Sequence, residues 1–543
     1  MSPLEPIAEM HPQRWGAPDA ATVLPDSALG LVDLAFGLQD RPAVTGAIPP
    51  AGALDGSLVD GLRAIVGDEH VLVDDATRTL RTRGKSTPDL LRARAGDLAD
   101  APDAVVRPDG HDDVAAVLAW ATEHRVAVVP FGGGTCVTGG LAARRDGFAG
   151  LVSLDLVRMK RLLAVDDVSM TATLEPGLRG PEAEALLAEH GLTLGHHPQS
   201  FEHASIGGFA ATRSSGQSSA GYGRFDAMVV ALTAATPTGS LELGSSPANA
   251  AGPDLRQLLL GSEGAFGVLT SVTVRVRRAP AETAYEGWRW PSFAAGSDAM
   301  RTLAQAGLLP TVIRLSDETE TAINLADPSS IGGTDDPGCL MITGYEGTPE
   351  QVAARRAAVT AALTDLGGTA LGTGPGEKWA HGRFNAPYLR DSLLDRGVLV
   401  ETLETATFWS NRERLYADVK AALTASLGDG TLVLCHVSHV YETGCSLYFT
   451  VAARQGDDPI AQWQAAKAAA SDAMIAAGAT ITHHHAVGTD HKPWFAQEIG
   501  DVGVRVLRAV KAELDPAGIL NPGVLIPYPH SSAPLAGYLG TIR

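Results

Sequence analysis

Pro130-Phe131-Gly132-Gly133-Gly134-Thr135-Cys136-Val137-Thr138-Gly139-Gly140 directly follows the apolar run Val126-Ala127-Val128-Val129, which reads as a buried strand. Three consecutive glycines take away every side chain where the backbone must turn, so that its N–H groups can approach a ligand closely. Such a row of donors forms a concave nest suited to anionic oxygens, a pyrophosphate above all. Taken alone, the run serves a surface turn equally well. It is neither G-x-G-x-x-G nor G-x-x-x-x-G-K-S/T, so the Rossmann and P-loop fingerprints do not apply. The surrounding chain has to decide.

Upstream, residues 104–106 read as a strand and residues 108–113 as an acidic turn. Val114, Val117, Leu118 and Ala121 then fall on one helical face. Strands are expected at 151–156, 170–174, 228–236 and 268–276, with helices at 57–66, 181–190 and 254–260. Between 196 and 223 the chain is rich in glycine and serine, as expected of backbone laid against a ligand. Beyond Pro280 longer helices (350–366, 411–427, 460–477) alternate with strands (311–315, 339–345, 398–403, 432–439, 446–452). That pattern predicts antiparallel strands backed by amphipathic helices, an α+β unit over the first domain. Ile499, Val502, Val506, Val510 and Leu514 read as one face of a last helix, stopped at Asp515-Pro516. Residues 1–50, rich in Pro, Ala and Gly, are expected to wrap the surface or lie partly disordered.

A chain of 543 residues calls for two or three domains. The net charge of −20 argues against nucleic acid as a partner, which wants a basic surface. Cys136, Cys339, Cys435 and Cys445 lack C-x-x-C spacing, so they read as reduced thiols with no structural zinc. No signal peptide, membrane span or peroxisomal C-terminal signal is expected, and the cytoplasm is the expected compartment.

The combination resembles the vanillyl-alcohol oxidase type of flavoprotein. The carriers are the glycine loop, residues 197–223, Gly261-Ser262-Glu263-Gly264-Ala265-Phe266-Gly267-Val268-Leu269-Thr270, and Asp515-Pro516 with Asn521-Pro522-Gly523. They stand in the family's order from about residue 100 onward. Within that superfamily the chain resembles the alkyl-dihydroxyacetone-phosphate synthases of ether-lipid synthesis. That likeness rests on Ile313-Arg314-Leu315, Tyr388-Leu389-Arg390-Asp391, Glu401 with Glu404-Thr405, Cys445-Ser446-Leu447-Tyr448-Phe449 and His483-His484-His485-Ala486-Val487-Gly488.

The resemblance implies an α+β fold: a two-subdomain FAD-binding domain followed by an α+β cap with an antiparallel sheet and helices. Expected boundaries are 1–100 for an N-terminal extension and 101–280 for the FAD domain. The cap would take 281–480, and a C-terminal segment, 481–543, would return to the flavin. Pro130, Phe131, Gly132, Gly133, Gly134, Thr135 and Cys136 would wrap the FAD pyrophosphate. Gln199, Ser200, Phe201, Glu202, His203, Ala204 and Ser205, with Thr212, Arg213, Ser214 and Ser215, would line it from the other side. Glu263, Gly264, Ala265, Phe266, Gly267, Val268 and Leu269 would hold the ring and adenosine end. Tyr448 would be the acid/base, Arg390 the seat of the substrate phosphate, and Arg314, His483, His484 and His485 would assist at the flavin.

Gln199 and Cys136 depart from the family's Asp and Ser, departures that bear on cofactor packing more than on the chemistry. No His or Cys precedes the loop for a covalent link, so dissociable FAD is expected. No metal is expected at His483–His485, because successive side chains on an extended strand point to opposite faces. An unperturbed phenol, with a pKa of about 10, is a poor base, and Arg314, Arg390 and the histidines are the cations expected to favour its phenolate.

The implied reaction replaces the acyl chain of acyl-dihydroxyacetone phosphate by a fatty alcohol through a flavin N5 adduct. The alternative is an FAD-dependent oxidase or dehydrogenase of a 2-hydroxy acid. Either substrate carries a phosphate or carboxylate that an arginine fork suits. A homodimer is expected, and a lipid substrate implies peripheral contact with a membrane.

Overall fold

The computed structural model describes residues 7–527 apart from 23, 25, 143 and 324–337. Residues 528–543, the end of the expected C-terminal segment, lie outside the described residues, as do residues 1–6.

The glycine loop leaves a four-stranded sheet ordered Val71–Leu72, Ala104–Val106, Gly150–Asp155, Val126–Phe131. The last three strands run parallel, and nearly all their residues are buried. A parallel sheet covered on both faces requires such unbroken apolar strands. The helix His111–His124 crosses between two of them, burying Val114, Val117, Leu118 and Ala121. It ends where Arg125 turns left-handed at φ 52°.

A five-stranded antiparallel sheet follows, ordered Leu162–Asp166, Thr171–Leu174, Val268–Arg275, Val229–Thr236, Gly239–Leu243. The third large sheet has seven strands, ordered Thr369–Gly372, Glu282–Trp290, Cys339–Gly347, Val312–Ser316, Leu432–Val437, Gly444–Arg454, Val398–Phe408. Every neighbouring pair in it is antiparallel.

Helices Pro349–Asp365 and Arg412–Leu427 cover this sheet through Val352, Val359 and Leu363 and through Leu415, Val419 and Leu423. These spacings place each trio on one helical stripe. Burying each such side chain contributes about 1.5–3 kcal/mol. The antiparallel cap is thus present, including the strand Glu282–Trp290, which sequence reading passed over. Its charged residues and Gly287 break the apolar alternation, and nine register pairs with Cys339–Gly347 complete it instead.

Two expectations fail. The described part of residues 1–50 is not merely a surface wrap, since Met10 and Trp15 are buried and Asp26–Phe36 is helical. Ion pairing of Glu9 with Arg81 and hydrogen bonding of the Trp15 N–H to Asp391 fasten this segment down. Gly500, at φ 68° and ψ 172°, breaks Lys492–Leu514 into two helical stretches, and in the second Val502 and Val506 are exposed while Val504 is buried. Residues spaced by four drift about 40° per step at 3.6 residues per turn, so 502, 506, 510 and 514 do not share one face.

Candidate active site

Phe131 ends its strand, and the chain turns at once through Gly132–Gly134. A Cβ on Gly133 would meet the His203 carbonyl, and Ala204 Cα at 2.7 Å. A Cβ on Gly132 would run into the Ser205 hydroxyl. The glycines therefore let two stretches of backbone close on one another, which any side chain would prevent. Asn521 locks the arrangement from behind, its amide donating to the Gly140 and Glu263 carbonyls at 2.9 and 2.7 Å. The Glu263 carboxylate accepts the N–H groups of Val487 and Gly488 at 3.1 and 2.9 Å. Burial pushes this carboxyl up to about 7 despite those bonds.

Pro130 to Cys136 all line one large cavity between the glycine loop and the cap sheet, together with Gln199, Ser200, Ala204, Ser205, Thr212, Ser214 and Ser215. Glu263, Gly264, Gly267, Val268 and Leu269 line it too. Phe201, Glu202 and His203 lie off it. Phe201 stacks on Phe384, Glu202 accepts from the Tyr388 hydroxyl, and His203 meets the edge of Trp15. Arg213 and Phe266 face an adjoining cavity, and Ala265 is core. The Cys136 sulfur accepts the Gly140 N–H at 3.0 Å, and burial pushes its thiol up to about 11, so it is a structural group.

On the cap side Tyr448, Arg314, Arg390, His484 and His485 reach the same cavity. Tyr448 lies on the strand Gly444–Arg454, opposite His436 on one neighbour and Glu404 on the other. Burial pushes its phenol up to about 12 and outweighs Arg390, which acts the other way. Of the cations expected to favour the phenolate, Arg390 does act in that direction, against the larger effect of burial. His436 stacks on the ring, with centroids 4.7 Å apart and planes 19° from parallel. Its Nδ1 lies 3.0 Å from both Arg314 Nη2 and Glu320 Oε2. Burial disfavours the Glu320 charge, yet His436 and Arg314 draw that carboxyl down to about 2.

Arg390 sits on the helix Ala386–Leu394 and donates from Nη1 to the Lys85 carbonyl at 2.7 Å. Its Nη2 is buried and has no hydrogen-bond partner among the described residues. Such a group costs stability unless something fills its seat. The buried Gln199 Nε2 is in the same position.

Residues 481–485 do not run extended, which corrects the alternation expected of the three histidines. The segment bends around the buried Glu404 carboxylate, which accepts the backbone N–H of all three and the Thr482 hydroxyl. The bend brings His483 Nδ1 within 3.0 Å of His484 Nδ1 and gathers His439, His483 and His484, with ligand atoms within 4.8 Å of one another. His484 Nδ1 also lies 3.4 Å from Glu404 Oε2. His483 itself faces the adjoining cavity.

Trp15, His436, His439, Glu320 and Glu404 are site residues that sequence reading missed as such. Each is brought in from a distant segment, and only Glu404 stood within a stretch already singled out.

Residues 102–244 match the family model described as FAD binding domain, and residues 279–525 the one described as FAD linked oxidases, C-terminal domain. Fold and site thus define an FAD-linked flavoprotein, and the closed glycine loop with the unpartnered buried Gln199 amide fits that cofactor. The alkyldihydroxyacetonephosphate synthase of Trypanosoma brucei brucei is 34% identical over 91% of this chain and 84% of its own. That of Dictyostelium discoideum is 34% identical over 86% of this chain and 80% of its own. A solved alkyldihydroxyacetonephosphate synthase structure superposes with a TM-score of 0.83 at 30% identity, covering 95% of this chain and 99% of that one. The chain belongs to the alkyldihydroxyacetonephosphate synthase family.

Proposed function

We propose that the protein makes alkyl-dihydroxyacetone phosphate, replacing the acyl group of acyl-dihydroxyacetone phosphate by a fatty alcohol with no net oxidation. One observation carries the reading: Tyr448, Arg390, Arg314, His484 and His485 converge on the cavity that the glycine loop also lines. FAD, when bound, supplies an electrophilic ring and electron sink. Non-covalent binding is part of the proposal.

Arg390 holds the substrate phosphate with its unpartnered Nη2. Tyr448 Oη takes the C1 proton and returns it. Arg390 is the cation that favours its phenolate, and the apolar burial favours return of the proton. Stacking on His436 fixes the phenol ring, and Arg314 with Glu320 fixes His436. His484 and His485, held by Glu404, present imidazoles to the cofactor side.

We further propose division at about residues 100, 280 and 480, and a cytoplasmic homodimer that meets its lipid substrate at a membrane surface. Among the described residues no helix is long and apolar enough to cross a membrane. Light scattering tests the dimer and vesicle flotation the surface contact. Incorporation of a labelled alcohol without any electron acceptor tests the reaction.

A further inference from the structure

The adjoining cavity shares Thr212, Ser262 and His484 with the cofactor cavity, so these residues form a common wall. It reaches the surface at the exposed Gln257. A continuous row of hydrogen-bonding side chains crosses that wall. The Tyr441 hydroxyl lies 2.6 Å from His483 Nε2, and His483 Nδ1 lies 3.0 Å from His484 Nδ1. Tyr441 and His483 line the outer cavity, and His484 lines both. Arg224 fixes the row by donating to the His483 carbonyl at 3.1 Å, while pairing with Asp226. Glu404 holds the His483 and His484 backbones, and His439 stacks on His483.

The proposed reaction needs such a path, and the inference rests on that reading. Acyl-dihydroxyacetone phosphate plus alcohol gives alkyl-dihydroxyacetone phosphate plus fatty acid. The C1–O bond to the acyl group breaks with its electron pair on the carboxylate, and the alcohol oxygen forms the new bond. Tyr448 takes and returns the same proton, so it cannot absorb the alcohol's. A carboxylate with a pKa of about 4 leaves ionised at neutral pH, and one proton must therefore leave the site each turnover.

We infer that His484, His483 and Tyr441 form the exit relay for this proton. It enters at the free nitrogen of His484 as the Nδ1 proton passes to His483 Nδ1. The Nε2 proton of His483 passes to the Tyr441 oxygen, and the Tyr441 hydroxyl releases its own to water in the outer cavity. No oxidant or reductant is involved, and every atom returns to its start once the row reorients. Tyr441 lines the outer cavity and not the cofactor cavity, and acts only through the histidines.

Tyr441→Phe in the FAD-loaded enzyme tests this, since it keeps the ring and removes only the relay oxygen. Turnover should fall by at least about tenfold, less than the about 100- to 10,000-fold lost with a group that meets the reacting atoms, with FAD and substrate affinity unchanged. Its solvent deuterium isotope effect should rise, and added imidazole should restore rate by carrying protons through the outer cavity. Unchanged turnover and isotope effect would overturn the relay. A second readout needs no substrate: the proton shared by the two Nδ1 atoms should give a low-field NMR signal abolished by His483→Gln. Its exchange with water should slow in Tyr441→Phe. Equal exchange rates would overturn the relay whatever the reaction proves to be, whereas an active relay with no ether product would sink the functional reading alone.

Discussion

Glu404 holds His485 by its backbone, its carboxylate accepting that N–H at 2.9 Å while also taking those of His483 and His484 at 2.7 and 3.1 Å. Burial works against the charge, yet His484 beside it keeps the carboxyl well below the usual range. Glu404→Gln turns an amide NH2 toward backbone donors. Hydrogen bonds to a charged group contribute about 1.5–3 kcal/mol, and a loss of that size in denaturant unfolding is expected, with slower turnover. Wild-type stability and rate together would show that Glu404 positions nothing.

The glycine loop makes a sharper prediction. Gly133→Ala places a Cβ against the His203 carbonyl and Ala204 Cα, which are backbone and cannot swing away. The variant should purify with little or no yellow colour. Gly374→Ala, where a Cβ meets nothing within 4 Å, should keep it. Full FAD occupancy of Gly133→Ala would mean the loop does not close on the cofactor.

Tyr448→Phe preserves the stack on His436 and removes only the hydroxyl. FAD content should stay at the wild-type level while turnover drops by about 100- to 10,000-fold, the usual contribution of a positioned acid/base. A variant turning over normally would make Tyr448 a core residue.

Acid should destabilise the fold. His196, His203, His436, His439, His483 and His491 are buried, and burial lowers each below its ordinary 6.5. Between the folded and unfolded values the unfolded chain binds the extra proton, so stability is lost as pH falls through about 6.5. Asp89 and Glu263, raised by burial to about 6 and 7, and Glu184, also raised by burial, act in the opposite sense, but they are three groups against six. The melting temperature should therefore fall from pH 7 to pH 5, and a rise would show that the histidines are charged in the fold.

What could be read from sequence follows the physics of burial. The parallel strands around Val126–Phe131 are covered on both faces and so appear as plain valine-rich runs, and the triple glycine marks the close approach beside them. Arg314, Arg390 and Tyr448 look like ordinary ion-pair or core residues, and only resemblance singled them out. His436 has no signal of its own in the sequence, and the role of Glu404 none, because cross-strand register, not spacing along the chain, sets both beside Tyr448. Trp15 comes from a stretch without periodicity, and its partners Asp391 and His203 are distant in the chain. The histidine run was misread for a related reason. An extended chain was assumed, and the carboxylate that bends it lies 79 residues away from His483.

Net redox neutrality is the central claim, and one anaerobic assay tests it most directly. FAD-loaded protein is mixed with acyl-dihydroxyacetone phosphate and radiolabelled hexadecanol, and flavin absorbance and labelled lipid are followed together. Labelled ether lipid with the flavin still oxidised at the end is the expected result, with Arg390→Ala needing more substrate because a charge-assisted contact is lost. Lasting bleaching by a 2-hydroxy acid such as lactate or glycolate, with no labelled ether product, would contradict it.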